Sequence, residues 1–376
     1  MGKRIVIVLL LAGILGGMLA LPAGAVDLQL AAPSAVLMDL ATGTVLYETN
    51  SHERLAPASV TKVMTLLLIM EAVDSGKISW QDTVTASEAA AAKGGSQVYL
   101  KVGETMSVEE MVKSITVSSA NDCACAMAEF LAGSEAGFVE KMNARAKELG
   151  MEDTHFVNPN GLSDSDHYSS AYDLALLARA CLENETLAGM VSTKSISLGG
   201  RVFTNHNKLL WQYEGCVGLK TGYTEKAGRT LVSAAEREGT TLICVTLDDP
   251  NDWADHAALF DEGFARWESR LLAREGEVLC RLPVSGGLLP LCPVEAGEEA
   301  RLCLEKGQEA ERELVLDQTA LTAPVAAGTV VGRAVYRAGT AERSIPLVAG
   351  ETVGCCLYEA GPLKRLLDSL GELLPG

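Results

Sequence analysis

Residues 54–65 read Arg54-Leu55-Ala56-Pro57-Ala58-Ser59-Val60-Thr61-Lys62-Val63-Met64-Thr65. Beyond Pro57, the positions Val63, Met64, Leu67, Ile69 and Met70 carry the spacing of an apolar helix that ends at Gly76. Ser59 falls at the first turn of that helix, and Lys62 lies three residues on, on the same face. A serine hydroxyl is a poor nucleophile until a base takes its proton. A lysine amine serves as that base only if burial and a second cation push its pKa down. The stretch therefore asks for a buried helix start and for another positive charge from elsewhere in the chain.

Two further triplets answer that request. Ser119-Ala120-Asn121 is an S-x-N, and Lys220-Thr221-Gly222 is a K-T-G. Lys220 supplies the second charge from a facing strand, and Ser119 relays a proton towards a leaving amine. The Asn121 amide holds a substrate backbone, and Thr221 takes a terminal carboxylate. Gly222 lets the strand edge approach without a side chain in the way. Backbone N–H groups of Ser59 and Tyr223 form an oxyanion hole. Each element also has a plainer reading: Ser59 as a helix N-cap, Ser119-Ala120-Asn121 as a loop, Lys220 as a solvated strand residue. A chain of this length yields roughly one S-x-x-K by chance. All three elements, each once and in the order a serine acyl-transferase needs, favour the chemical reading.

The resemblance extends past the triplets. His155-Phe156-Val157-Asn158-Pro159-Asn160-Gly161-Leu162, His167-Tyr168-Ser169-Ser170-Ala171-Tyr172-Asp173 and Gly218-Leu219-Lys220-Thr221-Gly222-Tyr223-Thr224 join residues 54–65 in it. Together they resemble the D-alanyl-D-alanine carboxypeptidases among the low-molecular-mass penicillin-binding proteins, over roughly residues 32–270. The resemblance implies an α/β (α+β) fold: a penicillin-recognising, β-lactamase-like domain with an antiparallel sheet and a helical cluster, then a small β-rich domain. It implies a peptidoglycan pentapeptide as substrate and β-lactams as inhibitors. It departs at one place. Many members carry an arginine after the strand that follows K-T-G, where this chain reads Leu247-Asp248-Asp249-Pro250-Asn251-Asp252-Trp253-Ala254-Asp255-His256. Only His256 offers a cation there, and Arg229 and Arg201 are the substitutes to consider. The segment resembles a branch linked to sporulation.

Outward from the motifs, the chain has a plain order. Ala35 to Asn50 reads as a hairpin around Thr42-Gly43. Helices are expected over 122–131, 135–149 and 171–182, with a capping box at Ser107 and Glu110. Strands are expected over 216–221, 230–235 and 241–247, and a helix from Trp253 to Arg270. Strands, many helices, then more strands pack as an antiparallel sheet covered by helices. Residues 26–270 thus read as the catalytic domain, and short apolar stretches between Gly and Pro over 275–358 as a separate β-rich domain. Lys3 and Arg4, an apolar run and Ala23-Gly24-Ala25 make residues 1–25 a signal peptide, so the protein is expected outside the cytoplasmic membrane. Residues 361–376 carry one apolar helical face, either docked on its own domain or associated peripherally with a membrane.

Composition narrows the alternatives. A net charge of −18 speaks against a nucleic-acid partner, whose phosphates need Lys and Arg. Ten cysteines without a CxxC pair give no zinc-ribbon or thioredoxin signal, and most read as buried free thiols. The five histidines lack zinc spacing, and His155 and His206 read as hydrogen-bonded structural residues. No metal or organic cofactor is expected. The function expected is removal of the terminal D-Ala through an acyl-enzyme on Ser59. Two rivals remain: a class A-like β-lactamase, for which Glu183 and Glu185 are the best-placed but ill-fitting acids, and a non-catalytic penicillin or muropeptide sensor.

Overall fold

The computed structural model describes residues 28–198 and 200–356, with nothing to be said of the Arg201 side chain. The expected signal peptide and the expected helix at 361–376 lie outside the described residues. The described chain divides between Trp267 and Glu268 into two compact units.

In the first unit, Ser34–Asp39 (β1) and Val45–Thr49 (β2) form the expected hairpin, with Leu37 opposite Tyr47. A short 3-10 turn, Ala58–Thr61, leads into Lys62–Asp74 (α1). Thr83–Thr85 (β3) and Thr105–Ser107 (β4) pair around Glu88–Ala91 (α2). Val108–Val117 (α3) begins at the capping box, in which Ser107 and Glu110 bond reciprocally. Asn121–Ala132 (α4) and Glu135–Glu148 (α5) stop at the left-handed Gly133 and near Gly150. Ala171–Leu182 (α6) and Glu185–Val191 (α7) follow, then a second small hairpin, Ser195–Leu198 (β5) and Arg201–Thr204 (β6). After Leu209–Gln212 (α8) come Cys216–Thr224 (β7), Gly228–Arg237 (β8), Thr240–Leu247 (β9) and Asp252–Arg266 (α9).

The large sheet runs β2-β1-β9-β8-β7, antiparallel throughout. Its residues alternate between two cores, as strand geometry requires. Val36, Met38, Val232, Ala234, Ile243 and Val245 face the helical cluster. Ala35, Leu37, Leu231, Ala235, Leu242 and Cys244 face α9, against Leu259, Phe260 and Phe264. The first residues of α1 are buried on every side, so it is a central helix rather than a surface one.

The expected helix 253–270 is too long at its end. Trp267 is extended (φ −115°, ψ 151°), and Trp267–Ala273 is a strand (β10). Pairing to a neighbouring strand overrides the helical pattern there. The second unit continues with Val278–Ser285 (β11), Leu291–Ala296 (β12), Ala300–Glu305 (β13), Glu311–Leu316 (β14), Leu321–Thr322 (β15), Val330–Ala338 (β16) and Ala341–Ala349 (β17). Its six-stranded sheet runs β14-β16-β17-β12-β11-β15, with β10 paired to β13. No disulfide joins any of the ten cysteines, and Cys123, Cys125, Cys181, Cys244, Cys292 and Cys303 are buried. No helix among the described residues is long and apolar enough to cross a membrane.

Candidate active site

The site is a cavity of about 320 Å³ at one end of β7, on whose wall Ser59, Ser119, Thr221, Gly222 and Tyr223 all stand. Lys62 and Lys220 lie buried behind them. Three segments remote in sequence thus meet as the triplets ask.

Ser59 is presented on a forced turn. Ala58 before it takes a φ of +48°, a conformation that a non-glycine residue holds only under surrounding constraint. The constraint is visible on two sides. Thr230 Oγ1 donates to Pro57 O at 3.0 Å. Gly161, at φ +84°, is so close that a β-carbon there would stand 1.8 Å from Ala58 O. The strand edge presses from the front, where a β-carbon on Gly222 would be 2.9 Å from Ser59 N. Gly222 is therefore glycine for clearance, as expected. Behind the turn, Val157 N–H donates to His167 Nδ1 at 3.0 Å, so His167 carries its proton on Nε2 and gives it to Thr61 Oγ1 at 2.7 Å. Burial lowers the His167 pKa to about 4, which keeps this link neutral.

Lys62 Nζ lies 2.9 Å from Ser59 Oγ and donates to Asn160 O at 2.6 Å. Burial is the main cause that drives its pKa well below the usual lysine value, and the charge of Lys220 adds to it, against the opposing pull of Asp122. A neutral amine that donates to Asn160 O keeps its lone pair free to accept the Ser59 proton. The loop supplying Asn160 O is self-tied: Asn158 Oδ1 accepts from Gly161 N and Asn158 Nδ2 donates to Leu162 O. Lys220 is buried as well, its Nζ donating to Thr221 O at 2.9 Å, and burial lowers its pKa to about 7.

Ser119 also stands at positive φ, +58°, and its buried hydroxyl has no partner among the described residues. Asn121 donates its amide to Gly94 O at 2.7 Å, and its buried Oδ1 is likewise unpartnered. Buried polar atoms are nearly always satisfied, so unpartnered ones beside a cavity mark where a ligand bonds. Asp122 ties this triplet to the loop before it, accepting from Leu100 N at 3.0 Å.

Two histidine expectations need correction. His256 is no cation for the site: it is buried, bonded to Ser233 and Thr246, and burial lowers its pKa to about 3. His206 is not a bonded structural residue: it is surface-accessible on the cavity wall, where partial desolvation, and then the charges of Lys220 and Lys62, lower its pKa. His155 does bond as expected, through Nδ1 to Asp166 O at 2.6 Å. Sequence reasoning also passed over Ser96, Lys208, Asp252 and Trp253 on the wall. Glu183 and Glu185 are exposed and off the wall, where Asp252 is the carboxylate among the described residues. Those residues include no group of three or more His, Cys, Asp or Glu able to hold a metal ion.

The site can therefore acylate a serine, with a neutral lysine as base and a strand edge beside the nucleophile. The model of the D-alanyl-D-alanine carboxypeptidase family matches residues 22–251. The D-alanyl-D-alanine carboxypeptidase DacF of Bacillus subtilis is 39% identical over 317 residues, 81% of this chain and 81% of that protein. Penicillin-binding protein 5 from Haemophilus influenzae has a similar structure, with a TM-score of 0.78 at 30% identity over 88% of this chain and all of that one. Penicillin-binding protein D2 from Listeria monocytogenes, in its ampicillin-bound form, aligns with a TM-score of 0.58 at 31% identity, over 63% of this chain and 99% of that one.

Proposed function

This chain belongs to the D-alanyl-D-alanine carboxypeptidase family of serine peptidases, and from that premise we propose how its own residues carry the reaction. Lys62 Nζ takes the Ser59 proton, and Ser59 Oγ attacks the carbonyl between the two terminal D-alanines of a peptidoglycan pentapeptide. Negative charge on the carbonyl oxygen falls to the N–H groups of Ser59 and Tyr223. The C–N bond then breaks, the acyl group stays on Ser59, and the leaving D-Ala nitrogen receives its proton by way of Ser119. Asn121 Oδ1 and the β7 edge from Lys220 to Tyr223 align the peptide backbone. Water hydrolyses the ester, the tetrapeptide leaves, and the Ser59 proton is restored. The carrying observation is Lys62 Nζ, buried and 2.9 Å from Ser59 Oγ at a cavity wall shared with Ser119 and Thr221.

β-Lactams acylate the same serine in this reading. Among the described residues of the wall the carboxylate is Asp252, and Arg229 occupies it, so the wall offers no free carboxylate of the kind a β-lactamase uses to activate its deacylating water. The penicillin adduct should thus persist, which favours a peptidase over a β-lactamase. The chemistry belongs to residues 26–270, with residues 275–358 as an accompanying β domain. Residues 1–25 direct export, and 361–376 either dock on their own domain or contact the outer face of the cytoplasmic membrane. The charge of −18 fits a peptide substrate and no nucleic acid.

The test is intact mass after penicillin exposure, together with D-Ala release from a D-Ala-D-Ala peptide, for wild type and Ser59→Ala. A persistent adduct and release on the wild type alone are expected. An adduct or release on Ser59→Ala at the wild-type level would refute the Ser59 assignment, and a wild type that binds penicillin but releases nothing would make it a sensor.

A further inference from the structure

We propose that Asp122 is a positioning residue: it seats the 94–100 loop on Ser119-Ala120-Asn121 and so fixes one wall of the cavity. The inference rests on the carboxypeptidase reading above and adds to that site a residue that touches no substrate yet shapes it.

A buried carboxylate costs stability unless a cation or N–H groups answer it. Elsewhere in this unit such groups have local work. Asp39 closes the turn at Thr42, Asp249 the turn at Asn251, and Asp173 the loop at Thr154. Asp122, fully buried on the first turn of α4, instead bonds 22 and 24 residues back along the chain. Its charge also acts on Lys62, against that of Lys220.

The bonds form a clamp. Oδ2 accepts from Leu100 N at 3.0 Å, and Oδ1 accepts from Val98 N at 3.3 Å and from Cys123 N at 3.0 Å. No side chain caps α4, so a carboxylate on its first turn answers free N–H groups and the positive end of the helix dipole. Between the two clamped residues the chain is forced. Val98 and Leu100 are buried, whereas Tyr99 stands exposed at φ +61°. A tyrosine takes that conformation only where its surroundings impose it. The shape of the loop is therefore held by Asp122 rather than preferred by its own residues.

What the clamp holds is the seat of Asn121. Ser96 O accepts from Asn121 N at 2.8 Å, and Gly94 O accepts from Asn121 Nδ2 at 2.7 Å. Those two carbonyls turn the amide so that Oδ1 is left over for a substrate backbone. The fit is close: Gly95 stands at φ +80°, and a β-carbon there would lie 2.7 Å from Asn121 Nδ2. Ser96 itself is on the cavity wall. The start of the loop has its own tether, Lys93 Nζ to Glu135 Oε2 at 2.6 Å, so Asp122 governs the stretch that follows. The same carboxylate faces the base. Burial and then Lys220, from β7, lower the Lys62 pKa, and Asp122, from α4, opposes them. His206 is the other titratable group in electrostatic contact with Lys62. One buried side chain thus sets both the wall and part of the field around the base.

The test follows D-Ala release and penicillin acylation against pH. Asp122→Asn keeps the size of the side chain, removes its charge and turns a donor on one of the clamped N–H groups. With the loop unseated, kcat/KM for D-Ala release should fall roughly 100-fold. The acid limb of acylation should move to lower pH, because loss of the negative charge favours the neutral Lys62 amine. Gly95→Ala reaches the same seat and leaves the charge alone. Its β-carbon would press on Asn121 Nδ2, so release should fall while the limb stays. Tyr99→Gly added to Asp122→Asn accepts φ +61° freely, and should restore part of the release but none of the limb shift. Wild-type release from Asp122→Asn with a cooperative melt would overturn the proposal. So would a loss of release with an unmoved limb, which marks a residue of stability alone. If Asp122→Asn does not fold, wild-type release from Gly95→Ala overturns it instead. A wild type that is acylated by penicillin yet releases no D-Ala would remove the carboxypeptidase reading, and the acylation rates and limbs of the same variants would still decide the place of Asp122.

Discussion

In the unit that ends at Trp267, Lys62, Asp122, Asp173, Lys220, Asp252 and His256 are all buried, beside buried Ser, Thr and Asn side chains. Among the described residues of the β-rich unit the buried side chains, from Ala273 through Cys292, Leu302, Ala334 and Leu347 to Val353, are apolar but for the hydroxyl of Tyr336. Both units are well packed, so packing does not explain the difference. Burying a lysine or leaving a serine hydroxyl unbonded costs stability. Such atoms persist where a reaction uses them. The two interiors teach that buried polar side chains gather, among the described residues, in the unit that holds Ser59 and its cavity.

Lys62→Met attacks that contrast most directly. The Lys62 pKa is lowered in the fold, so at neutral pH, below its unfolded value, the folded state is penalised for stripping or burying the charge. An apolar residue of similar length removes the penalty. Acylation by penicillin should fall by at least about 10³-fold, while stability rises by about 1–3 kcal/mol. Intact mass and thermal melting measure both, and a lower melting point would break the comparison.

Lys220→Gln sharpens it. Protonation of Lys62 should set the acid limb of the acylation rate, and the like charge of Lys220 helps hold the Lys62 pKa down. Removing that charge favours the protonated form, so the limb should move to higher pH. A penicillin acylation profile between acid and neutral pH reads the shift, and an unmoved limb would exclude Lys220 from tuning the base.

Leu347→Ala is the mirror case. Leu347 is fully buried on β17. Its truncation should cost the β-rich unit about 2–5 kcal/mol, and the acylation rate should change by less than about twofold. Denaturant melts with a penicillin label on each fraction check this, and a large loss of acylation would give the second unit a part in the chemistry.

The sequence made legible what is local or repeated. The first hairpin, the capping box at Ser107 and the helix 171–182 follow from turn chemistry and period. The three triplets bring Ser59, Ser119 and Thr221 to Tyr223 to one cavity wall, with Lys62 bonded behind Ser59. What escaped was non-local. The strands β3 to β6 have three or four residues each, too few to show alternation. The acceptor for Lys62 is a main-chain carbonyl, which no residue type announces. Asp252 and Trp253 read as part of a segment lacking an arginine, because the arginine they hold lies on another strand. His206 read as structural because exposure is a property of the fold rather than of the residue.

The close seat of Gly161 against Ala58 O has a practical meaning. Ser59 and Lys62 are one helical turn apart, yet the carbonyl that holds Lys62 comes from Asn160, at a separation of 98 residues. A chain with α1 formed but the 158–162 loop unseated owns both reactive groups and has neither in working order. Competence to be acylated is then a property of the assembled unit rather than of α1. A fluorescent penicillin would count finished molecules rather than total chains, and so serve as an assay of folding yield.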